Sequence, residues 1–283
     1  MKTLTFGFTI SKWKLPTGSI IVLPRSMTSQ GANMERELLV SRRSFLQAGN
    51  AAIFACFLAD FSYEEPMKLR DAKEAVDHLV LAVDDLQRGI DWVEEKTGVR
   101  AIVGGKHPNR GTQNALLSFG DKQYLEILAP DPQQSGHPRA ADLLNLTTPR
   151  LALWASATVE IETLAQQAKD AKLLVMGPMD GSRARPDGKM LKWRSLSVAR
   201  KADKDLVYFN VVPFFIQWDK DSLHPSQDSP TGCKLLALEF EHPEADEINK
   251  MTNALGLKAK VSKASAPAIK AALQTPKGKV VLS

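Results

Sequence analysis

Cysteine is nearly absent from this sequence: its 283 residues hold only Cys56 and Cys233. Cys56 falls in a stretch that reads as a removable leader, so a processed chain keeps one thiol and no intramolecular disulfide. Long apolar runs are missing too, and nothing reaches the ~20 residues that a membrane span needs. No Walker loop, dinucleotide fingerprint, Ser-centred nucleophile elbow or zinc-finger spacing is present, which sets those chemistries aside. An excess of charge is lacking where it would matter. The formal charge is +5 and the pI about 9.1. Yet seven of the 37 Lys/Arg and two of the 32 Asp/Glu lie in residues 1–59, leaving 30 of each sign in residues 60–283. A neutral body lacks the positive surface that phosphate-backbone binding requires, so no nucleic-acid partner is expected. The apolar and charged fractions, 43% and 24%, are those of an ordinary globular protein with room for one large or two small domains.

What is present begins with an address. Ser41-Arg42-Arg43-Ser44-Phe45-Leu46 resembles the twin-arginine export signal, S-R-R-x-F-L, at every position. The uncharged run 45–59 follows it, too short for a span and suited to a signal's apolar region. The alternative is an amphipathic helix with a chance Arg pair. We expect a leader over 1–59 with the signal at 41–59, cleavage near Ala59-Asp60, a linker over 60–75, and export to a bacterial periplasm. Residues 1–33 have no acid and nine Ser/Thr. That composition also suits a plastid transit segment ahead of a thylakoid-lumen signal, or upstream sequence before a true start at Met34.

The rest of the chain repeats one grammar. Val76–Val83 reads as a strand, and Asp84-Asp85 caps a helix whose buried face carries Leu86, Ile90, Trp92 and Val93. The helix stops at Thr97-Gly98. Strands follow at 99–103, 114–119 and 124–128, the last two a hairpin across Gly120-Asp121. A second unit has a strand from Leu151, a helix over 161–173, a polar loop over 177–189, and strands over 190–199 and 206–218. A third has a strand over 234–240, a helix over 244–255 stopped by Gly256, a strand over 257–261, a short helix over 266–273 and a strand over 279–282. Strand–helix–strands recurring three times is the strongest architectural signal in the chain.

Several segments together resemble the glyoxalase-like domain of the vicinal oxygen chelate superfamily. They are Asp77-His78-Leu79-Val80, then Gly104-Gly105-Lys106-His107-Pro108 running into Gly111-Thr112-Gln113-Asn114-Ala115-Leu116-Leu117, and Gly120-Asp121 with Tyr124-Leu125-Glu126. Residues 213–218 (PFFIQW) with His224-Pro225 resemble the second half of such a domain. The resemblance implies an α+β fold in which repeated βαβββ modules form a curled mixed β-sheet cup with helices outside. Modules at 76–130 and 151–218 would make the domain over 76–225. A third, partial βαβ module, 233–283, would pack on the same domain.

In metal-dependent members each module offers one ligand from its first strand and one from its last, and the ion stabilises an enolate by Lewis acidity. The resemblance therefore suggests His78 and Glu126 as half of a divalent-metal site for Zn, Ni, Mn or Fe, and as candidate catalytic residues. The second module departs from the pattern. Its first strand, Leu151-Ala152-Leu153-Trp154, has no histidine, and its last offers Gln217; the third module has Leu236 opposite His78. Two protein ligands fall short of the usual three. The alternative for His78 is a strand histidine hydrogen-bonded inside the cup, and for Glu126 a buried acid paired with Arg110 or another base.

His107, Arg110, Thr112 and Asn114 sit on a loop that Gly104-Gly105 frees and Pro108 stiffens. They suit an anionic or oxygen-rich ligand, or else a turn that satisfies its own backbone. Trp193, Gln217, Trp218 and His224 are candidates for the ligand wall, with ordinary packing the alternative. Two functions stay open: a lyase or isomerase acting on a vicinal-oxygen substrate, dioxygenase-like chemistry included, and a non-catalytic ligand-sequestering protein without metal. A small molecule is the expected partner and a homodimer is compatible with the fold; the fold alone names no substrate.

Overall fold

The computed structural model describes residues 10–14, 20–24, 69–134, 136–200 and 210–283. The chain separates into two units, residues 1–65 and 66–283. In the first, strands β1 (Ile10–Lys14) and β2 (Ile20–Pro24) pair as an antiparallel hairpin. The twin-arginine-like stretch at 41–59, the cleavage region and linker residues 60–68 lie outside the described residues.

The second unit opens with β3 (Arg70–Asp71) and the one-turn helix α1 (Ala72–Ala75). The first module follows: β4 (Val76–Ala82), α2 (Leu86–Thr97), β5 (Ile102–His107), β6 (Thr112–Gly120) and β7 (Gln123–Pro130). Its boundaries have local causes. The Asp85 carboxylate accepts the Arg88 N–H at 2.8 Å and satisfies one of the donors that every helix start leaves open. Gly98 ends the helix at φ 79°, in the left-handed region where a Cβ is strained. Leu86, Ile90 and Val93 are buried at helical spacing, with Trp92 packed at the edge of the core.

After α3 (Pro138–Leu144) the order repeats as β8 (Arg150–Ala157), α4 (Ile161–Asp170), β9 (Leu174–Ala184), β10 (Met190–Ala199) and β11 (Phe214–Trp218). In each module the first strand lies parallel to the last, β4 beside β7 and β8 beside β11. Strands β4 and β8 pair antiparallel with His78 opposite Ala155. The halves thereby join into one eight-stranded sheet of order β5-β6-β7-β4-β8-β11-β10-β9, symmetric about its centre. It curls into a half-barrel, the α+β cup that the sequence implies.

The central strands are buried on both faces for different reasons. Leu79, Leu81, Leu125 and Ile127 belong to the main core. His78, Val80, Tyr124, Glu126 and Leu128 alternate with them and line the concave face, as a two-residue period requires. At roughly 1.5–3 kcal/mol for each large aliphatic side chain buried, the core face holds the sheet together. The concave face is left to carry polar groups.

Three details differ from the sequence-based expectation. The polar stretch 177–189 is not all loop, because β9 runs through it to Ala184 paired along β10. An antiparallel partner supplies the hydrogen bonds that local composition does not advertise. The strand expected over 206–218 is described as β11 from Phe214 only, residues 201–209 lying outside the described residues. The short helix expected over 266–273 is a strand, β15 (Ala268–Thr275), in which Ile269, Ala271, Leu273 and Thr275 are buried alternately. Pairing with β12 (Lys234–His242) and β16 (Gly278–Leu282) overrides the helical preference of its alanines.

The C-terminal sheet also has its own topology. With α5 (Ala245–Ala254), β13 (Leu257–Lys258) and β14 (Val261–Lys263), its four main strands run β14-β12-β15-β16. Here β12 lies parallel to β14, a βαβ unit and not a third copy of the cup module. Leu236, the position matched to His78, is 39% exposed. The buried Trp154 ring of β8 meets Phe240 of β12 at 5.1 Å and donates its N–H to the Val211 carbonyl at 2.7 Å.

Curling brings the two outer strands, β5 and β9, together. Gly104 is the extra residue of a bulge between Val103 and Gly105, and its carbonyl accepts from Arg183 of β9. At Gly105, φ is 150° and a Cβ would lie 2.8 Å from the Ala184 carbonyl oxygen. Gly105→Ala should therefore lower unfolding free energy by about 1–3 kcal/mol, checked by urea denaturation, whereas Gly188→Ala, in open space at positive φ, should cost less.

Candidate functional site

A cavity of about 260 Å³ occupies the concave face. Each polar group in it is placed by a particular strand. Val76 pairs with Ser156 and His78 with Ala155, leaving Asp77 as the extra residue of a bulge in β4. Bulges re-aim side chains, and this one sets the Asp77 carboxylate beside the next residue's ring. Asp77 Oδ1 lies 2.7 Å from His78 Nδ1. Its Oδ2 accepts from Trp218 Nε1 at 2.9 Å and meets His224 Nε2 at 3.1 Å.

These contacts fix two tautomers. The Ser226 N–H points at His224 Nδ1, so the His224 proton sits on Nε2 and is donated to Asp77. A carboxylate only accepts, so His78 carries a proton on Nδ1 and turns Nε2 into the cup. Burial opposes the Asp77 charge, but the hydrogen bonds from His224 and His78 outweigh it and hold the carboxyl below its usual range. The His78 ring is stacked on Tyr124 at 4.6 Å and meets the edge of Phe214 at 5.4 Å.

Across from His78 Nε2, at 3.7 Å, lies Glu126 Oε2. The other oxygen, Oε1, accepts from Asn114 Nδ2 at 2.6 Å. Burial pushes the Glu126 carboxyl up, yet His107, His78, the Asn114 hydrogen bond and Arg183 together leave it below the usual value. It is ionised at neutral pH. His107 Nε2 is 3.2 Å from Asn114 Nδ2, and Nδ1 is 2.8 Å from Thr112 Oγ1. Burial pushes the His107 pKa down to about 4; nearby Glu126 resists, while Arg183, Arg110 and Arg139 add to the fall. The ring is therefore neutral, accepting from Asn114 and donating to Thr112. Its loop is pinned from behind, where Gln134 donates to the His107 carbonyl and Asp131 takes an ion pair from Lys106 at 3.0 Å.

Of the residues named from the sequence, the cup gathers His78, His107, Arg110, Asn114, Glu126, Trp193 and Trp218 on its lining. Three stand behind it. Thr112 is fully buried and supports His107. His224 is buried against Asp77, not on the ligand wall. Gln217 Oε1 accepts the Ile161 N–H at 2.9 Å, so it closes the start of α4 and does not face the cavity. Glu126 is met by Asn114 and the two histidines in place of the salt bridge with Arg110 that the sequence offered as one alternative.

Sequence reasoning gave no site role to Asp77, Tyr124, Arg139 or Arg183. An acid directly before a histidine in an apolar strand was the available signal for Asp77. Arg183 was concealed by its loop-like surroundings.

The donor set decides how a divalent metal would fit. His78 Nε2 faces Glu126 across the cup, and the ring is backed by a carboxylate as metal-binding histidines are. The second module adds no imidazole, thiolate or carboxylate to the lining among the described residues, and the Asn114 N–H occupies His107 Nε2. Among the described residues no group of three His, Cys, Asp or Glu is placed to hold an ion. A resident metal held wholly by protein does not fit this donor set.

Residues 76–256 match the family described as Glyoxalase-like domain. No curated protein matches the chain. Among solved structures, a hypothetical protein from Staphylococcus aureus superposes with a TM-score of 0.52 at 16% identity, over 68% of this chain and 87% of that one. Methylmalonyl-CoA epimerase from Mycobacterium tuberculosis gives a TM-score of 0.36 at 16% identity, over 51% and 86%. A variant of the Streptomyces coelicolor methylmalonyl-CoA epimerase, in complex with 2-nitronate-propionyl-CoA, gives 0.37 at 14% identity, over 50% and 96%. The first of these shares the fold. Among the described residues no helix is long and apolar enough to cross a membrane.

Two measurements follow from the geometry. In Asp77→Asn the amide oxygen can still accept from Trp218 and His224, but its N–H₂ would then donate to His78 Nδ1. Side-chain ¹⁵N NMR should show the His78 proton moved to Nε2, with about 1–3 kcal/mol of stability lost. For His107, the depressed folded pKa means the unfolded chain takes up a proton first as pH falls below about 6.5. Stability is full above that pH and is lost on the way down to about 4, by roughly 3 kcal/mol at 1.36 kcal/mol per pH unit. Urea unfolding against pH should show this slope, and His107→Gln should flatten it.

Proposed function

The chain belongs to the glyoxalase-like domain family, and on that premise we propose that its cup binds a small organic molecule and moves a proton on it, as an isomerase or lyase does. One observation carries the reading: the ionised Glu126 carboxylate and His78 Nε2 face each other at 3.7 Å on the wall of the cavity. A single proton can be shared or exchanged between them. A substrate carbon bearing an acidic hydrogen beside a carbonyl, seated against this pair, meets a base and a partner for its proton.

In this mechanism Glu126 takes the proton, because it is charged and its orientation is fixed by Asn114. As substrate displaces water, the proton affinity of the carboxylate rises, since desolvation disfavours its charge. His78 stands ready on the same side to relay the proton or return it, its tautomer held by Asp77. Negative charge developing on the substrate oxygen is met by the guanidinium groups of the lining, Arg110 and Arg183 among them. Tyr124, stacked on His78, keeps its hydroxyl protonated because burial and the neighbouring Asp77 and Glu126 charges push its pKa well up.

A second reading, sequestration without catalysis, is favoured by the second module, whose described lining contributes Arg183, Asn210, serines and apolar groups but no second acid or imidazole to work with Glu126. The twin-arginine-like motif, taken alone, supports placing either activity outside the cytoplasm.

Solvent-deuterium wash-in separates the two readings. A panel of 2-oxo and 2-hydroxy carboxylates is incubated with the protein in D₂O and followed by ¹H NMR. Exchange at the carbon beside the carbonyl or hydroxyl should fall about 10²–10⁴-fold in Glu126→Gln. Bound ligand with no exchange in the wild type would leave sequestration as the function.

A further inference from the structure

Arginines outnumber acids on the described wall of the cup. Three guanidinium groups, those of Arg110, Arg139 and Arg183, line the cavity, and Glu126 is the only carboxylate among the described residues of its wall. Asp77 does not offset them, since it is buried with its oxygens taken by His78, Trp218 and His224. The three arginines come from three different segments: the loop after β5, the first turn of α3 and the end of β9. All of them act on the neutral His107, and burial and Arg139 both lower the affinity of Arg110 for its proton. An anion entering beside Arg110 and Arg183 meets two guanidinium groups that can donate to it. Arg183 is additionally tied to the Gly104 carbonyl, so its position is set before a ligand arrives.

The other side of the cavity is apolar and equally fixed. The Trp193 and Trp218 rings lie 5.6 Å apart. Trp193 lies so close over Gly181 that a Cβ there would come within 2.4 Å of the ring. Trp218 is held by its bond to Asp77 at 2.9 Å. Phe214 and the rim methionines Met176 and Met179 continue this wall. Methionine adapts to irregular shapes, which suits an entrance, whereas the paired indoles offer flat faces.

Resting on the reading of this cup as a ligand site, we infer that it takes a small organic carboxylate with a flat, apolar body. The carboxylate sits beside Arg110 and Arg183, and the body lies against Trp193 and Trp218. The cavity volume of about 260 Å³ is below the ~300–1,000 Å³ of drug-sized sites, which restricts the body to about one ring. This arrangement also orients a substrate for Glu126, with the anionic group at one end and the reacting carbon between the two walls.

Calorimetry on the full chain with four probes tests the inference: benzoate, benzamide, acetate and inorganic phosphate. Benzoate should bind at least about tenfold more tightly than benzamide, which keeps the ring and loses the charge, and than acetate, which keeps the charge and loses the ring. Arg110→Gln should weaken benzoate about tenfold or more and leave benzamide unchanged. Trp193→Leu should weaken benzoate and leave acetate unchanged. Benzamide binding as well as benzoate, or no effect of Arg110→Gln, would overturn the anion site. Acetate or phosphate binding as tightly as benzoate would overturn the apolar body. Glu126→Gln removes the one opposing charge, so it should preserve or tighten benzoate binding. Binding that survives in a protein that fails to exchange deuterium would therefore reject proton transfer and keep the ligand class.

Discussion

A single buried carboxylate sets the geometry of the cup. Asp77 accepts from three side chains contributed by β4, by β11 and by the turn that begins at His224. Through them it joins the first module to the last strand of the second and to the segment that leaves the domain. A buried charge is tolerated only when its partners are complete, and here each partner is itself fixed. His224 is held by Ser226, Trp218 lies tilted against Trp193, and His78 is stacked on Tyr124. The consequence reaches the cavity. Because the Nδ1 proton of His78 is committed to Asp77, Nε2 is the nitrogen that the ring presents to the cup and the one left to exchange a proton there.

The two halves of the sheet share a topology but not a chemistry. The symmetry about β4 and β8 places equivalent strands around the cavity, yet the first module supplies the histidines and the carboxylate, while the second supplies the indoles, serines, apolar groups and Arg183. The acid–base groups of the described lining thus come from one half. This explains why a metal held by protein groups from both modules does not fit. A resident metal usually needs at least three protein ligands, and among the described residues only one half offers imidazole or carboxylate donors, one of them already taken by the Asn114 N–H. The first half retains what proton transfer requires, a carboxylate held ionised by hydrogen bonding and nearby charge.

Closure of the cup depends on backbone proximity more than on side-chain packing. The glycine pair in β5 makes the bulge that lets β9 approach, and Arg183 spans the junction to the Gly104 carbonyl. The same arginine acts electrostatically on Glu126 and His107. Structural closure and the electrostatics of the site are thus coupled through one side chain, so a change at the rim of the sheet is felt at its centre.

By itself the sequence determined the modules, the cup and half of the candidate site. Helix spacing, the Asp85 cap and the stops at Gly98 and Gly256 are local signals, and a two-residue alternation places His78 and Glu126 on one face of neighbouring strands. Lining residues such as His107, Arg110 and Asn114 were legible because polar residues clustered beside a glycine pair are conspicuous, although His107 ends β5 and Thr112 and Asn114 lie on β6, leaving only Arg110 on the connecting turn. Tertiary structure alone decided the rest. Asp77 acquires its role from a bulge, which depends on the register of β4 against β8. Arg183 enters the cup because strand pairing orders a stretch whose composition reads as loop, and β15 is a strand because its neighbours are. Gln217 shows the converse: a polar residue beside the cavity in sequence is spent on capping a helix. Each of these depends on partners distant in the chain, and pairing between distant segments leaves no periodic mark in any one of them.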